Sequence, residues 1–158
     1  MERPTPEAIL ETEKTLRKLT LLLRQQNREL LHRFKITPPQ FAALQWLYEE
    51  GPLTIGDLSA KMGLACSTIT DLIDRMEQQG LVERRRDQLD RRVVRVVLLA
   101  NGGQLFEDIL AAQRQQFSRI LEPYPPEAID MLNRFLQRLL KDLQAGSSRE
   151  DDTNTTGK

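Results

Sequence analysis

The chain has 158 residues, 39% of them hydrophobic, and its 23 Lys and Arg balance 23 Asp and Glu, so the formal net charge is zero. Its single Cys excludes an intramolecular disulfide framework and any zinc site or redox pair that needs two thiolates. The length fits one domain, and because no membrane-length apolar run or secretory signal occurs, we expect a cytoplasmic protein with no metal, no cofactor and no membrane partner.

Residues 7–35 form the first predicted element, a long helix. Neither Pro nor Gly occurs between Glu7 and Phe34, and apolar residues recur there at helical spacing. These residues cover more than one face of the helix, which is more than an isolated globular unit normally buries. We therefore expect this helix to pack against a second copy of the chain.

The next region, 36–99, begins with a capped helix. Thr37 can cap it, Pro38 occupies its first position, and Gln40 completes a capping box. This pattern predicts a helix over 38–49.

Two more helices follow in the same region. Thr54 and Asp57 repeat the capping-box pattern, and Gly63 ends the short helix that starts there. The stretch 64–79 has the most regular helical spacing of the chain, and Gly80 ends it. Two helices joined by a tight connection that contains Gly predict a helix-turn-helix.

The pattern then changes to that of a β-hairpin. Residues 81–84 and 93–98 are short runs rich in Leu and β-branched side chains, and the polar stretch 85–92 separates them. A helix-turn-helix followed by such a hairpin is a winged helix, so we assign 36–99 to a winged helix-turn-helix.

Helical spacing returns after the hairpin. Asn101 is the expected cap of a helix that reaches about residue 122, and another helix is predicted over 126–143. The stretch 145–158 is rich in Gly, Ser, Thr, Asp and Asn, which predicts a disordered tail.

The predicted fold class is mainly α with a small β-wing. In this single domain the winged helix-turn-helix is flanked by dimerisation helices, which occupy 7–35 and 101–143. Both flanking segments carry wide apolar stripes, and a two-fold homodimer would bury them.

The second helix of a helix-turn-helix presents its N-terminal residues to the major groove of DNA. The predicted DNA-contacting residues in this helix are Cys66, Ser67, Thr68, Thr70, Asp71 and Arg75. Ser67 and Thr68 could instead only cap the helix. Arg75 could touch a phosphate or form a salt bridge with Asp71 or Asp74. The apolar residues Ile69, Leu72, Ile73 and Met76 are expected to face the core.

The hairpin supplies a second set of DNA-contacting candidates. Residues 84–95 contain six Arg against two Asp, a local charge of +4. The candidates are Arg84 and Arg86 on one face of the first strand, and Asp90, Arg91 and Arg92 at the tip. A guanidinium suits the negative potential of a narrow minor groove. Asp90 would hold Arg86 or Arg92 in a bidentate geometry. The alternative for the hairpin as a whole is a solvated charged loop that binds no partner.

The chain resembles the MarR family of winged-helix transcriptional regulators. The motifs that carry the resemblance are ITPPQF at 36–41, LSA at 58–60, STIT and LIDRME within 67–77, GLV at 80–82 with Arg84, and DQLDRR at 87–92. The resemblance implies a homodimer that binds a pseudo-palindromic operator, represses transcription and releases DNA when a small ligand or an oxidant is sensed. Two departures are Asp71, where many members have a basic or amide residue, and the sequence LANGG at 99–103 after the hairpin.

Two features of the sequence could take part in sensing an oxidant or a small ligand. Cys66 lies at the start of the second helix, where a thiol is more acidic and its oxidation would disturb DNA binding, but the favoured interpretation is a small residue without that role. An effector cleft between the flanking helices and the winged helix would be walled by Phe34, Phe41, Trp46 and Phe106. These aromatic residues could also simply belong to the core.

Two other classes of function agree less well with the sequence. An enzyme is disfavoured because the chain has no Gly-rich phosphate loop and no nucleophile elbow, and His32 is its only His. A protein-interaction module does not need the clustered Arg of the hairpin. The sequence therefore predicts a double-stranded DNA-binding regulator.

Overall fold

The computed structural model describes residues 4–153 of the chain, and it is mainly helical with one two-stranded antiparallel sheet, as predicted. In chain order the elements are α1 (Pro6–Arg33), α2 (Pro38–Glu50), α3 (Ile55–Met62), α4 (Cys66–Gln78), β1 (Val82–Arg86), β2 (Val94–Leu98), α5 (Ala100–Leu121) and α6 (Pro126–Thr153). The chain divides into two compact units, the first ending at Arg114 and the second starting at Gln115. Within the described residues, no helix is both long and apolar enough to cross a membrane.

Both predicted capping boxes are confirmed. The Thr37 amide donates to Gln40 Oε1 at 2.9 Å, and the Gln40 amide donates to Thr37 Oγ1 at 3.4 Å. At the start of α3, Thr54 and Asp57 exchange the same two bonds, each 3.0 Å long. Gly63 ends α3 with a φ of 63°, a left-handed conformation that Gly adopts without steric cost.

The core of the first unit lies around the winged helix. Its buried apolar side chains come from the end of α1, from α2, α3 and α4, from both strands or their flanks, and from the first part of α5. In α1 only Leu30 and Leu31 are buried. Its earlier apolar residues are exposed in the single chain, among them Ile9, Leu10, Leu16, Leu19, Leu21, Leu22 and Leu23.

The first strand extends beyond its apolar run. The strands pair from Val82 with Leu98 to Arg86 with Val94, so Arg84 to Arg86 lie at the end of β1, as predicted. Polar residues can continue the strand because the pairing is made by backbone hydrogen bonds, which do not depend on apolar side chains. Leu53 adds two backbone bonds to Val96, of 3.2 and 2.7 Å, and so attaches β2 to the loop before α3.

The start of α5 also differs from the prediction. The helix begins at Ala100, and the Gly103 amide donates to the Leu99 carbonyl at 3.0 Å, so Asn101 is not its cap. Leu99 in turn donates to the Leu81 carbonyl at 3.0 Å, which draws the first turn of α5 against the residue that precedes β1. Gly102 is buried at this contact, where there is no room for a side chain.

In the second unit, α6 continues beyond its predicted end. The helix is described as far as Thr153, so it includes part of the stretch 145–158 for which disorder is predicted, and residues 154–158 lie outside the described part of the chain. No Pro follows Pro126 in the sequence. The single Gly146 costs a helix only about 1 kcal/mol, which does not stop it.

We expect Gly102→Ala to destabilise the protein because the new Cβ would lie 2.2 Å from the Leu81 carbonyl oxygen. Overpacking of this kind lowers the free energy of unfolding by about 1–3 kcal/mol. The matched control is Gly103→Ala, whose Cβ would meet Leu98 at an ordinary 3.8 Å. The control should be neutral or stabilising, because Ala is the better helix former. Urea unfolding measures both variants, and equal stability of Gly102→Ala and wild type would contradict the close approach.

Candidate nucleic-acid interface

The first turn of α4 is exposed and has no side-chain cap. The N-cap residue is Ala65, which makes no capping hydrogen bond, and Cys66, Ser67 and Thr68 are exposed. The interpretation of Ser67 and Thr68 as mere caps is therefore wrong. Their hydroxyl groups are available to a partner, beside backbone N–H groups that no side chain of Ala65 can satisfy.

Thr70 and Asp71 continue this exposed polar surface. The Thr70 hydroxyl donates to the Cys66 carbonyl at 2.9 Å, so its proton is used within the helix. Its oxygen still accepts hydrogen bonds, and its methyl group can contact a thymine methyl. Asp71 is exposed one residue further along.

The opposite face of α4 fixes the helix in place. Ile69, Ile73 and Met76 have no exposed surface, as predicted for core residues, and Leu72 is half-buried. Because the buried residues recur every three or four positions, the polar residues between them all face outward.

Arg84 lies between β1 and α4 and is engaged within the protein. Its guanidinium pairs with Asp74 Oδ1 at 2.7 Å and with Glu77 Oε2, and it donates to the Thr70 carbonyl at 3.4 Å. The Arg84 amide also donates to Glu77 Oε1 at 2.7 Å. The side chain is only 26% exposed, so the residue predicted to contact DNA is largely enclosed by acidic groups.

The ion pairs contradict one of the two alternatives for Arg75, the salt bridge with Asp71 or Asp74. Asp74 pairs with Arg84 and not with Arg75, and within the described residues Arg75 forms no ion pair. Arg75 instead lines a cleft of about 380 Å³ together with Lys35, Thr37, Gln40, Leu72 and Gln79. Two cations therefore border this cleft at the edge of α4.

Asp87 organises the base of the wing tip, a role that the sequence did not reveal. Its Oδ2 accepts from Arg95 Nε at 2.5 Å, and its Oδ1 accepts from the amides of Leu89 and Asp90 at 2.8 and 3.4 Å. The hydrogen bond from Arg95 is the main reason why the pKa of Asp87 lies below its ordinary value. The carboxylate therefore stays charged and holds the turn at neutral pH.

Asp90 orients Arg92, one of the two partners expected for it. A single oxygen, Oδ1, accepts from the Arg92 amide at 3.1 Å and from its Nε at 3.2 Å, so the predicted bidentate geometry is not observed. A bidentate pair needs both carboxylate oxygens, and here one oxygen also serves the turn of the backbone. The Arg92 side chain remains 91% exposed.

The ion pairs redistribute the charge of the wing. Of the six Arg in 84–95, four are paired with carboxylates, namely Arg84, Arg85, Arg92 and Arg95. Arg86 and Arg91 are exposed and have no ion pair among the described residues. The cations that are open to a polyanion are therefore Arg86, Arg91 and the outer side of Arg92.

The four aromatic residues of the predicted effector cleft all pack against the core. Phe41 and Phe106 meet with ring centroids 5.4 Å apart, and Tyr48 approaches Phe106 at 4.8 Å. Trp46 lies instead beneath Lys61 Nζ, which is 4.9 Å from the ring centre.

Tyr48 adds a polar group to this cluster that the sequence prediction missed. Its hydroxyl donates to Glu107 Oε1 at 2.7 Å, and this bond is the main reason why the pKa of Tyr48 is raised. Tyr48 is 45% exposed, whereas Phe106 is 3% exposed.

The sequence is similar to those of known transcriptional regulators. The sequence model of the MarR family matches residues 36–94. The HTH-type transcriptional regulator YsmB of Bacillus subtilis is 44% identical over 138 residues, which cover 87% of this chain and 94% of that protein. The HTH-type transcriptional repressor MdtR of Bacillus subtilis is 31% identical over 59% of this chain and 60% of its own length.

The fold agrees with a solved structure as well. A MarR family protein from Bacillus stearothermophilus superposes with a TM-score of 0.82 at 44% identity, over 90% of this chain and 99% of that one. The matches to YsmB and to the Bacillus stearothermophilus protein are much longer than the winged helix, so they include parts of the flanking helices. The chain therefore belongs to the MarR family of DNA-binding, winged helix-turn-helix transcriptional regulators.

Proposed function

We propose that this chain is a homodimeric repressor that binds a pseudo-palindromic operator, with α4 in the major groove and the wing tip in the adjacent minor groove. The observation that carries the proposal is the bond between Arg84 and the Thr70 carbonyl, which holds β1 beside the exposed first turns of α4. The polar residues of α4 and the open cations of the wing are thereby kept in one relative position.

Sequence reading is assigned to the exposed polar residues of α4. Ser67, Thr68 and Thr70 carry hydroxyl groups that suit base edges in the major groove, and Cys66 and Asp71 border them. Asp71 can accept from the amino group of a cytosine but repels phosphates, so its role would be selective and not attractive.

Affinity is assigned to the open cations. Arg86, Arg91 and Arg92 would approach the phosphates or enter the minor groove, and Arg75 with Lys35 would meet the backbone at the cleft beside α4. Each phosphate that a cation neutralises releases counterions, so this part of the binding free energy depends strongly on salt.

The homodimer is supported by the apolar residues that single chains leave exposed. In α1 these are the residues from Ile9 to Leu23 already named, and in the second unit they are Phe117, Ile120, Met131, Leu132, Phe135, Leu136, Leu139, Leu140 and Leu143. A two-fold dimer would bury them and set two α4 helices about one DNA turn, ~34 Å, apart. Repression is the role named for the relative MdtR. A regulator of this kind acts on the chromosome, which supports the cytoplasm as its location.

Release by a small ligand or an oxidant completes the proposal. The exposed edge of Tyr48 beside Phe41 and Phe106 offers an aromatic ligand a place to insert, and the exposed Cys66 thiol offers an oxidant a site in α4 itself. Titration of the DNA complex with small phenols and with peroxide tests both. Cys66→Ser should abolish a response to peroxide and leave a response to phenols intact.

Selection from random duplex DNA at about 0.15 M salt tests the operator directly. We expect enrichment of an inverted repeat whose half-sites lie one helical turn apart, together with sedimentation of the free protein as a dimer. Enrichment of a single half-site, or a monomer in solution, would contradict the proposed assembly.

Removal of the exposed wing cation should weaken DNA binding in a salt-dependent way. We expect Arg92→Gln to raise the Kd for the selected operator about tenfold or more, and the slope of log K against log salt to shrink by about one phosphate contact. The control is Arg138→Gln, which removes the same charge from an exposed pair with Asp142 on α6. Equal affinities of Arg92→Gln and wild type at moderate salt would contradict the wing assignment.

Truncation of the hydroxyl groups of α4 should reduce sequence preference. We expect the double variant Ser67→Ala/Thr70→Ala to lose about 10- to 100-fold in the ratio of operator to random-DNA affinity, because each lost base contact costs about 1–3 kcal/mol. Binding to random duplex should change little. The control Ser118→Ala alters an exposed hydroxyl on α5. Undiminished discrimination by the double variant would mean that α4 does not read the bases.

A further inference from the structure

We propose that Arg84 is a positioning residue that fixes the wing relative to the recognition helix α4, and that it does not contact DNA. This inference rests on the proposed function, because it assumes that α4 and the wing read adjacent grooves. It assigns to Arg84 a role in specificity that its place among the wing arginines does not suggest.

The contacts of Arg84 extend along one side of α4. Its partners there, Thr70, Asp74 and Glu77, are spaced four and three residues apart, so they lie in one row about 10 Å long. The Arg84 amide is bound to Glu77 as well, so both the side chain and the backbone of β1 are attached to the helix. Such a row resists both sliding and rotation of β1 against α4.

The local charge argues against a phosphate contact. Two carboxylates, those of Asp74 and Glu77, face one guanidinium, so the cluster carries a net charge of −1. To bind a phosphate, Arg84 would have to leave both carboxylates unpaired beside a polyanion, and the repulsion between these carboxylates and the phosphates opposes such a contact. Arg86 lies on the same face of β1, two residues further along, and is exposed without an ion pair in the described part of the chain.

The hairpin does not need Arg84 in order to form. Val82 is 1% exposed, the strands pair over five residues, and Leu53 holds β2 from the other side. Removal of the guanidinium should therefore leave a folded protein in which the wing keeps its cations but varies in angle. A wing of variable angle can reach the minor groove at several distances from the bases that α4 contacts. The protein then loses its preference for one distance between these two parts of the operator.

Distance measurement in the free protein tests the positioning directly. Spin labels are placed on the native Cys66 and on Leu89→Cys at the wing tip, where Leu89 is 99% exposed, and labelled chains are diluted with unlabelled chains. We expect a narrow distance distribution in the parent protein and a broader one in Arg84→Gln. Arg86→Gln is the matched control and should leave the distribution narrow. An unchanged distribution in Arg84→Gln would overturn the proposal, whatever the protein binds.

DNA binding provides the second test, through a double-mutant cycle. We expect Arg84→Gln to weaken operator binding about fivefold to tenfold and Glu77→Gln to weaken it less, because Arg84 keeps Asp74 and Thr70 in the second variant. The double variant should lose less than the sum of the two free-energy changes, because the variants share the contact between Arg84 and Glu77. The salt slope should stay unchanged in Arg84→Gln and shrink by about one contact in Arg86→Gln. In a shifted operator, the minor-groove segment contacted by the wing lies one base pair further from the bases contacted by α4. We expect Arg84→Gln to distinguish the shifted operator from the original one less well than wild type does.

A direct phosphate contact makes the opposite predictions. In that case Arg84→Gln would shrink the salt slope by about one contact, and Glu77→Gln would strengthen binding by removing a negative charge near DNA. Either result would overturn the positioning role. If wild type itself shows no sequence preference, the proposed operator binding fails, but the distance measurement still decides whether Arg84 positions the wing.

Discussion

The structure depends first on the buried side of α4. Ile69, Ile73 and Met76 have no exposed surface, and full burial of each such side chain stabilises the fold by about 1.5–3 kcal/mol. Since a helix is rigid about its axis, fixing these three residues also fixes the directions of Ser67 and Thr70 on the other side. The exposed side of α4 is therefore held in position by the core, although its own polar residues do not pack in the core. A reader of base edges needs this combination of rigid backbone and small polar side chains.

Acidic side chains are part of the way the wing is built. Asp87, Asp90, Asp74 and Glu77 each hold one Arg in place, so acidic groups shape the positively charged surface as much as they oppose it. An exposed ion pair such as that of Arg92 with Asp90 contributes about 1 kcal/mol or less to stability, so its main effect is on geometry. The ion pairs hold four of the six arginines of the hairpin, and they leave Arg86, Arg91 and the outer side of Arg92 as its cations that are open to phosphate.

Local signals in the sequence were sufficient for some elements and not for others. The capping boxes at Thr37 and Thr54 involve residues three positions apart, so the chain itself contains all the information that they need. The role of Arg84 depends on the register of β1 against α4, and its partner Thr70 is fourteen residues away. The spacing of apolar residues in the sequence cannot indicate such a contact. The predicted start of α5 was wrong for a related reason. Asn101 has the chemistry of a cap, but the contact of Gly102 with Leu81 decides where the helix begins.

The segment from Leu81 to Arg84 connects three parts of the first unit. At one end, the Leu81 carbonyl accepts from Leu99 and lies against Gly102 of α5. At the other end, Arg84 is bound to α4, while Val82 between them is buried. A displacement of the first turn of α5 therefore cannot leave β1 unmoved, because the Leu81 carbonyl has no free space toward Gly102. The same displacement would reach the wing through a strand whose other end is attached to the recognition helix. The four residues from Leu81 to Arg84 thus connect the helix that follows the hairpin to the surface assigned to DNA.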